Sequence, residues 1–248
     1  MTVFELKDFL DELLDVQVFQ SADASLNGLQ VGFDKEVSTV AFAEDACVQS
    51  IKAAAEAGAD FLFVHHGLFW GSAKPVTGAL YERMKLLLDN KMALYACHLP
   101  LDCHKSLSHN ACMASILGMK NPEPFAWVGN GAAGLYGELE KPLNAMEIST
   151  LLGRIEPVSV IGCDRKFSRI GIISGDGNSD VPEAIDLKLD ALVTGEVHYS
   201  SCKDCVDGAL SVVTMGHYLT EVFGVKAVMK RVKEKGLNTV FIDVPSSL

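Results

Sequence analysis

The sequence lacks any hydrophobic run that is long enough and free enough of charge to cross a membrane. It also lacks an excess of basic residues, since 21 Lys and Arg stand against 32 Asp and Glu, for a formal net charge of -11. That balance repels phosphate backbones and disfavours nonspecific binding to nucleic acid. The first segment carries Glu5, Lys7 and Asp8, which argues against the uncharged core of a signal peptide. We therefore expect a cytoplasmic protein with no membrane span.

The cysteines do not indicate a disulfide framework. There are seven of them, an odd number, scattered among apolar residues, whereas small secreted scaffolds use paired cysteines at regular spacing. This favours a reducing compartment. Cys202 and Cys205 form an isolated C-x-x-C motif with no second pair for zinc, so a structural role is favoured over a redox role. The sequence leaves the role of this pair open.

Apolar strands alternate with helices along the chain. We predict strands at residues 39–43, 61–64 and 93–97 in the first half and at 170–174, 191–194, 210–214 and 239–244 in the second. Capping boxes predict helix starts at Thr2 with Glu5, at Asn144 with Glu147 and at Asp180 with Glu183. The βαβ order predicts an α/β protein with largely parallel, mixed sheets and crossover helices.

The stretch from residue 121 to 137 is rich in Pro and Gly, which marks the expected division of the chain. We predict two similar α/β lobes, an N-terminal one at residues 1–125 and a C-terminal one at 126–248, that together form one compact unit. The stretch contains Phe125, Trp127 and Tyr136 and is too apolar for a free linker.

The two halves resemble each other in sequence. In each, a strand ends in a histidine four residues before an acid, as His98 and Asp102 in the first half and His217 and Glu221 in the second. This indicates an ancient duplication. Since ligands of open α/β sheets lie at the carboxyl ends of strands, we expect a site between the lobes.

Histidines concentrate at these strand ends. Five of the seven lie at or just after an apolar strand, namely His65, His66, His98, His198 and His217. A single histidine there is more often a hydrogen-bonded or exposed residue than a ligand. Together with two acids at matching spacing, the set predicts metal ligands: His65, His66, Asp102, His217 and Glu221.

The local pattern suggests how these residues share a site. Adjacent strand residues point to opposite faces, so His65 and His66 are expected to bind two neighbouring ions rather than one. His217 and Glu221 are one helical turn apart. Asp102 follows Pro100, which is expected to hold the chain extended after the strand.

Three imidazoles and two carboxylates suit zinc, manganese, iron or cobalt, and argue against calcium and iron–sulfur clusters. Two divalent ions would leave a positive centre for a small anionic substrate, possibly a nucleotide, and hydrolysis is the chemistry that such a pair supports. The glycine-rich turn at residues 174–178 is neither a P-loop nor a dinucleotide fingerprint, so no organic cofactor is expected.

Five motifs in this order resemble the Nif-three-like dinuclear metal proteins, also labelled GTP cyclohydrolase I type 2, over the whole chain. They are Asn27-Gly-Leu-Gln-Val31, Val64-His-His-Gly67, His98-Leu-Pro-Leu-Asp102, Thr194-Gly-Glu196 and Gly216-His-x-x-x-Glu221. The resemblance implies the compact form of the fold, without an inserted domain. It also implies that His65, His66, Asp102, His217 and Glu221 bind metal, with Glu221 as the bridge, and that the chain forms a toroidal homohexamer, a trimer of dimers.

The activity implied by the resemblance is opening of the guanine ring of GTP to give dihydroneopterin triphosphate. In that interpretation His98 and His198 are the hypothetical proton carriers beside the ligands. Two alternatives stay open. One is a dinuclear phosphoesterase or amidohydrolase with another substrate, and the other is a metal carrier or interaction scaffold without catalysis.

Overall fold

The computed structural model describes residues 1–19, 21–163 and 165–246. These residues form two compact units. The first comprises Met1–His104 and Gly224–Val244, and the second comprises Lys105–Phe223 with the described residues after Val244. None of the helices in the described ranges is long and apolar enough to span a membrane.

Strands and helices alternate through the parallel part of each sheet, as the sequence predicts. The helices are α1 Val3–Leu14, α2 Val48–Glu56, α3 Gly78–Asp89, α4 Leu99–Asp102, α5 His109–Leu117, α6 Ala145–Leu151, α7 Val181–Asp186, α8 Cys202–Asp207 and α9 His217–Lys233. The strands are β1 Gly28–Val31, β2 Thr39–Asp45, β3 Phe61–His66, β4 Ala93–Ala96, β5 Met119–Val128, β6 Gly131–Leu143, β7 Ser159–Ile161, β8 Phe167–Asp176, β9 Ala191–Glu196, β10 Ser211–Thr214 and β11 Asn238–Phe241. Short 3-10 helices lie at Val16–Phe19, Asn178–Asp180 and Tyr199–Ser201.

The sheet of the first unit has the order β1-β4-β3-β2-β11 among the described strands. β2, β3, β4 and β11 are parallel, and β1 pairs antiparallel with β4. The central strands are apolar on both faces because helices cover both. Small and aliphatic side chains such as Ala43 and Val64 lie in the cluster with α2 and α3. Phe63 of β3 and Tyr95 of β4 stack with 5.7 Å between their ring centroids, and Tyr95 donates a hydrogen bond to Asp11 of α1.

The sheet of the second unit has the order β5-β6-β8-β9-β10-β7 among the described strands. Its centre, β8-β9-β10, is parallel, and β5, β6 and β7 add antiparallel pairings. One face packs on α5 and α6 through residues such as Met113 and Ile148. The other packs on α7 and α8 through Ala184 and Cys205. The mixed α/β class that the sequence predicts is confirmed.

The units divide the chain elsewhere than at the predicted 125/126 boundary, which falls inside β5. Phe125 is buried in the core of the second unit, and its strand forms a long hairpin with β6. The apolar residues of this Pro- and Gly-rich stretch therefore make a sheet edge rather than a connection. At the other end of the chain, β11 pairs with β2 and belongs to the first unit.

Two of the three predicted capping boxes are present, at Thr2 with Glu5 and at Asn144 with Glu147. The third helix, α7, also begins directly after Asp180 as predicted, but the capping box itself is wrong, since the Asp180 side chain makes no cap hydrogen bond. Glu183 instead accepts a hydrogen bond from the backbone N–H of Ala126. A short 3-10 helix precedes α7, and the Glu183 carboxylate binds the backbone of β5 instead of capping its own helix.

In both units an aspartate carboxylate accepts hydrogen bonds from two backbone N–H groups at the start of a parallel strand. Asp60 accepts hydrogen bonds from the backbone N–H groups of Ser38 and Thr39 at the start of β2. Asp190 accepts them from Ser168 and Arg169 at the start of β8. A cation pairs with each carboxylate, Lys35 at 2.7 Å from Asp60 and Arg165 at 3.1 Å from Asp190. This repetition supports the duplication that the sequence indicates.

Candidate metal centre

His65 and His66 are the last two residues of β3, at the carboxyl end of the parallel strands. His65 is fully buried and His66 is partly exposed. Although neighbours in a strand alternate in direction, the two rings lie with their centroids 4.6 Å apart, inclined by 43°. The end of the strand therefore presents both imidazoles to one small region of the first unit.

A hydrogen bond at Nδ1 fixes the orientation of each ring. Nδ1 of His65 lies 2.9 Å from the carbonyl oxygen of Cys97, which can only accept, so this nitrogen carries the proton. Nδ1 of His66 lies 2.8 Å from Glu44 Oε1 and 3.1 Å from Asp45 Oδ1. In both rings the lone pair is consequently left on Nε2, which is the arrangement that metal-binding histidines have.

Glu44 and Asp45 are functional candidates that the sequence did not single out. They end β2, and Asp45 pairs in register with His66 on the adjacent strand. Glu44 is buried, and this burial raises the pKa of its carboxyl group, while the hydrogen bond from His66 opposes the shift. The signal in the sequence was an acidic pair after an apolar strand, next to the strand that carries the histidines.

Asp102 is buried near His65, with 3.6 Å between its Oδ1 and Nε2 of that histidine. The sequence predicted an extended segment here, and this prediction is wrong, because the segment forms the short helix α4. Pro100 is compatible with this helix because it lies in the first turn, where a backbone N–H is not required. The helical turn brings the carboxylate back toward the end of β3.

His98 belongs to the same group. Its Nδ1 lies 2.9 Å from Asp23 Oδ1, and its backbone N–H donates to Asn27 Oδ1 at 2.7 Å. Burial alone would raise the pKa of Asp23, but hydrogen bonds from His98 and Asn27 outweigh it and lower the pKa to about 2. One ring nitrogen from each of His65, His66 and His98 lies within 4.8 Å of the others. Asp23 is a positioning residue that the sequence did not single out.

The second unit holds the other two predicted ligands at the start of α9. His217 and Glu221 are one turn apart, with 3.1 Å between His217 Nε2 and Glu221 Oε2. Nδ1 of His217 lies 2.7 Å from Glu196 Oε1 at the end of β9. The ring is thus anchored at Nδ1 and directs Nε2 toward the carboxylate, as His65 does in the first unit.

Gly175 makes room for this pair. Its backbone φ of +66° is in the left-handed region, and a Cβ there would lie 2.3 Å from Glu221 Oε1 and 3.2 Å from His217 Nε2. Its N–H donates to Thr220 Oγ1 at 3.0 Å, which ties the end of β8 to the first turn of α9. A glycine at this position is therefore required by both conformation and space.

His198 has a different setting. Its side chain is 61% exposed, with Nε2 3.2 Å from Asp176 Oδ2. Its backbone N–H donates to Asn178 Oδ1. Its role as a proton carrier stays a prediction. Cys205 is buried in α8 and Cys202 is partly exposed, and burial raises the pKa of the Cys205 thiol, which does not favour a reactive thiolate there.

The donor chemistry fits divalent transition metals. The three predicted ligand histidines all have Nδ1 held by an oxygen acceptor, and Asp102 and Glu221 are buried carboxylates. Such second partners orient ligand imidazoles and raise their basicity. The predicted ligands thus form two sets, His65, His66 and Asp102 in one unit and His217 and Glu221 in the other. The fold and these side chains define a class of α/β protein with a candidate site for divalent metal.

The chain belongs to the Duf34/NIF3 (NGG1p interacting factor 3) family, whose model matches residues 1–247. A protein of Pyrococcus abyssi named GTP cyclohydrolase 1 type 2 homolog is 39% identical over 98% of both chains. A protein of Treponema pallidum with the same name is 35% identical over 100% of both. The crystal structure of TTHA1606 from Thermus thermophilus is similar with a TM-score of 0.89, at 36% identity and 100% coverage of both chains.

Proposed function

We propose that this chain is a metal-dependent hydrolase of the GTP cyclohydrolase I type 2 kind, whose ligands are His65, His66, Asp102, His217 and Glu221. The observation that carries the proposal is the hydrogen bond at Nδ1 in all three histidines, which orients each ring and makes Nε2 the nitrogen that would hold a metal. Glu221 is the proposed bridge between two ions. Zinc, manganese, iron and cobalt all suit these nitrogen and oxygen donors.

Divalent ions at this site would supply Lewis-acid chemistry and activate a water molecule for hydrolysis. The protein's own contribution is orientation. Cys97, Glu44 and Glu196 hold the ligand rings in one tautomer, so that no rearrangement is needed when an ion binds. Three neutral imidazoles and two carboxylates leave part of the charge of two divalent ions uncompensated, which favours a small anionic substrate in an otherwise acidic protein.

His98 is the proposed proton carrier of the first unit. Asp23 holds its Nδ1, and the ring centroid lies 5.1 Å from His65 and 5.6 Å from His66. The other ring nitrogen is available to hold or move a proton beside the ligands. His198 is the corresponding candidate of the second unit. Replacing each by Ala should lower turnover with metal retained, and unchanged turnover in both variants would contradict the assignment.

The site is tested first by metal analysis of protein purified without added metal. We expect about two ions per chain, as in dinuclear hydrolases. Glu221→Gln should lower that content because the bridging carboxylate loses its charge. Glu140→Gln is the matched control, since Glu140 is exposed and pairs only loosely, at 3.9 Å, with Lys120. Equal metal content in the two variants would contradict the ligand role of Glu221.

The reaction is tested by incubating metal-loaded protein with GTP and measuring the fluorescence of the pterin product. The name of the relatives from Pyrococcus abyssi and Treponema pallidum supports GTP as the first substrate to try. Phosphodiesters and cyclic amides belong in the same screen because dinuclear sites hydrolyse them too. Turnover of one of these without pterin formation would keep the hydrolase and reject the cyclohydrolase.

We also propose, from the family resemblance, that the chain acts in the cytoplasm as a homohexamer with the metal sites facing an interior cavity. Light scattering after size-exclusion chromatography should give six times the mass of one chain. A stable monomer would contradict the assembly without affecting the ligand assignment.

A further inference from the structure

Trp70 lies beside the candidate ligands of the first unit. Its ring centroid is 4.9 Å from that of His98, in an edge-to-face arrangement at 72°, and 5.7 Å from that of His66. The side chain is half-buried. Part of the indole is therefore exposed next to the imidazoles.

The position of the indole is fixed from two sides. Its Nε1–H donates to the carbonyl oxygen of Gly67 at 3.0 Å. The backbone around it pairs with another loop, since Leu26 N–H donates to Phe69 O at 3.0 Å and Gly71 N–H donates to Ala24 O at 2.7 Å. The ring is consequently pre-organised and loses little freedom when a ligand contacts it.

The chemistry of this side chain restricts the kind of ligand it can recognise. The indole is uncharged, and its single hydrogen-bond donor is already used by Gly67. What remains is aromatic surface, which binds planar rings by stacking and does so for every nucleobase. A phosphate or other compact anion gains nothing from it.

We propose that Trp70 is the surface on which the planar heterocyclic ring of the substrate stacks, next to His66 and His98. The inference rests on the proposed function and adds which residue receives the heterocyclic ring of the substrate. Trp70 would hold that ring beside the proposed ligands of the first unit, where the ring that the proposed reaction opens must lie.

The chain offers a spectroscopic test because it contains two tryptophans. The other one, Trp127, is 64% exposed on β5 in the second unit. In a Trp127→Phe variant, the tryptophan fluorescence, excited at a wavelength that the five tyrosines do not absorb, therefore reports on Trp70 alone. Guanosine should quench this fluorescence in a saturable way, whereas inorganic triphosphate should not. Absence of saturable quenching by guanosine would overturn the proposal.

The matching affinity test compares Trp70→Leu with Trp127→Leu. Trp70→Leu should weaken guanosine binding, measured by calorimetry, about tenfold to a hundredfold, with unchanged metal content and unchanged triphosphate binding. Trp127→Leu should change none of these, and Trp70→Phe should retain most of the affinity because it keeps an aromatic face. If Trp70→Leu lost metal but bound guanosine normally, Trp70 would only cover the ligand histidines, and the proposal would be wrong.

Failure of the cyclohydrolase proposal and failure of the Trp70 assignment give different results. If guanosine stacks on Trp70 but GTP is not converted, the cyclohydrolase proposal fails and the assignment of Trp70 stands. If GTP is converted and Trp70→Phe and Trp70→Leu both show the wild-type KM, the assignment of Trp70 fails and the cyclohydrolase stands. If Trp70→Leu does not fold, the quenching experiment in the Trp127→Phe variant still tests the assignment of Trp70.

Discussion

The two units build the same parallel core but place different chemistry at its carboxyl end. β2-β3-β4 in the first unit and β8-β9-β10 in the second each start from an aspartate that binds two backbone N–H groups. At the other end, Asp45 pairs in register with His66, whereas Asp176 pairs with Glu196. The start of each sheet is conserved between the halves, and the end is where they diverge.

The two units carry the histidine and its carboxylate partner on different elements. In the first unit the strand supplies the imidazole, His66, and its partner Glu44 comes from the next strand. In the second unit the strand supplies the carboxylate, Glu196, and the helix supplies His217. The two units thus arrange their candidate ligands differently rather than as two copies of one arrangement.

The residues that directly precede Asp45 and Asp176 also differ between the units. Glu44 precedes Asp45 with a buried carboxylate, while Gly175 precedes Asp176 with no side chain, after a register shift in β8. Glu221 from α9 occupies the volume that a side chain at 175 would need. A buried carboxylate is present in both units, but it comes from a strand in one and from a helix in the other.

The largest effect is expected from Gly175→Ala. The left-handed backbone costs about 1–2 kcal/mol for a residue with a Cβ, and the new Cβ would displace Glu221. We expect loss of metal from His217 and Glu221, measured by metal analysis. Gly58→Ala is the matched control because Gly58 has a similar φ of +70° with nothing within 4 Å of a Cβ. Equal metal content in both variants would show that the space at Gly175 is not needed.

The next effect is expected from Asp23→Asn in the first unit. The folded pKa of about 2 is below the ordinary 3.8, so ionised Asp23 stabilises the fold by about 2 kcal/mol at neutral pH. That contribution is complete above pH 3.8 and is lost as the pH falls through 2. Denaturant unfolding at pH 7 and pH 2 should show the variant less stable only at pH 7. A constant difference would mean that Asp23 acts through shape alone.

A smaller pair of effects tests the repeated aspartates. Asp60→Asn and Asp190→Asn should each destabilise the protein by about 1 kcal/mol, since both weaken charge-assisted hydrogen bonds to a strand start. Asp60→Asn should have the larger effect because the Asp60–Lys35 pair is less exposed than the Asp190–Arg165 pair. Denaturant midpoints measure both. An effect in only one unit would break the proposed equivalence.

The smallest effect is expected from His198→Ala. The side chain is 61% exposed, and substitutions at such positions change the free energy of unfolding by less than about 0.5 kcal/mol. Metal content should stay at the wild-type value. A loss of metal would place His198 closer to the ligands than its contact with Asp176 indicates.

The sequence predicted β2, β3, β4, β8, β9, β10 and β11, the main helices and the histidines because these depend on local patterns, but it did not predict β1, β5, β6 and β7, whose pairings are antiparallel. Runs such as Phe61–His66 combine apolar residues with terminal histidines, and both patterns can be recognised without knowing which strands lie next to them in the sheet. Glu44, Asp23 and Glu196 were missed because their roles arise from pairing with histidines at least 20 positions away, as in the bond from His217 to Glu196. The helical turn at Pro100 was missed because proline favours two backbone arrangements that only the surroundings distinguish.

The division into units also depends on long-range pairing. Pro and Gly between residues 121 and 137 favour a connection locally, but pairing with β6 and burial of Phe125 make this stretch part of a sheet. Pairing of β11 with β2 joins two segments almost 200 positions apart, which no local pattern encodes. Long-range pairing thus decides which residues share a unit.

Anomalous X-ray diffraction from crystals grown without added metal would locate the ions themselves. If the three histidines bind metal, anomalous peaks should lie within bonding distance of Nε2 of His65, His66 and His217, with Nδ1 of each ring still bonded to its oxygen partner. Peaks at Nδ1, or metal-free crystals of a protein that still hydrolyses its substrate, would contradict the proposed metal site.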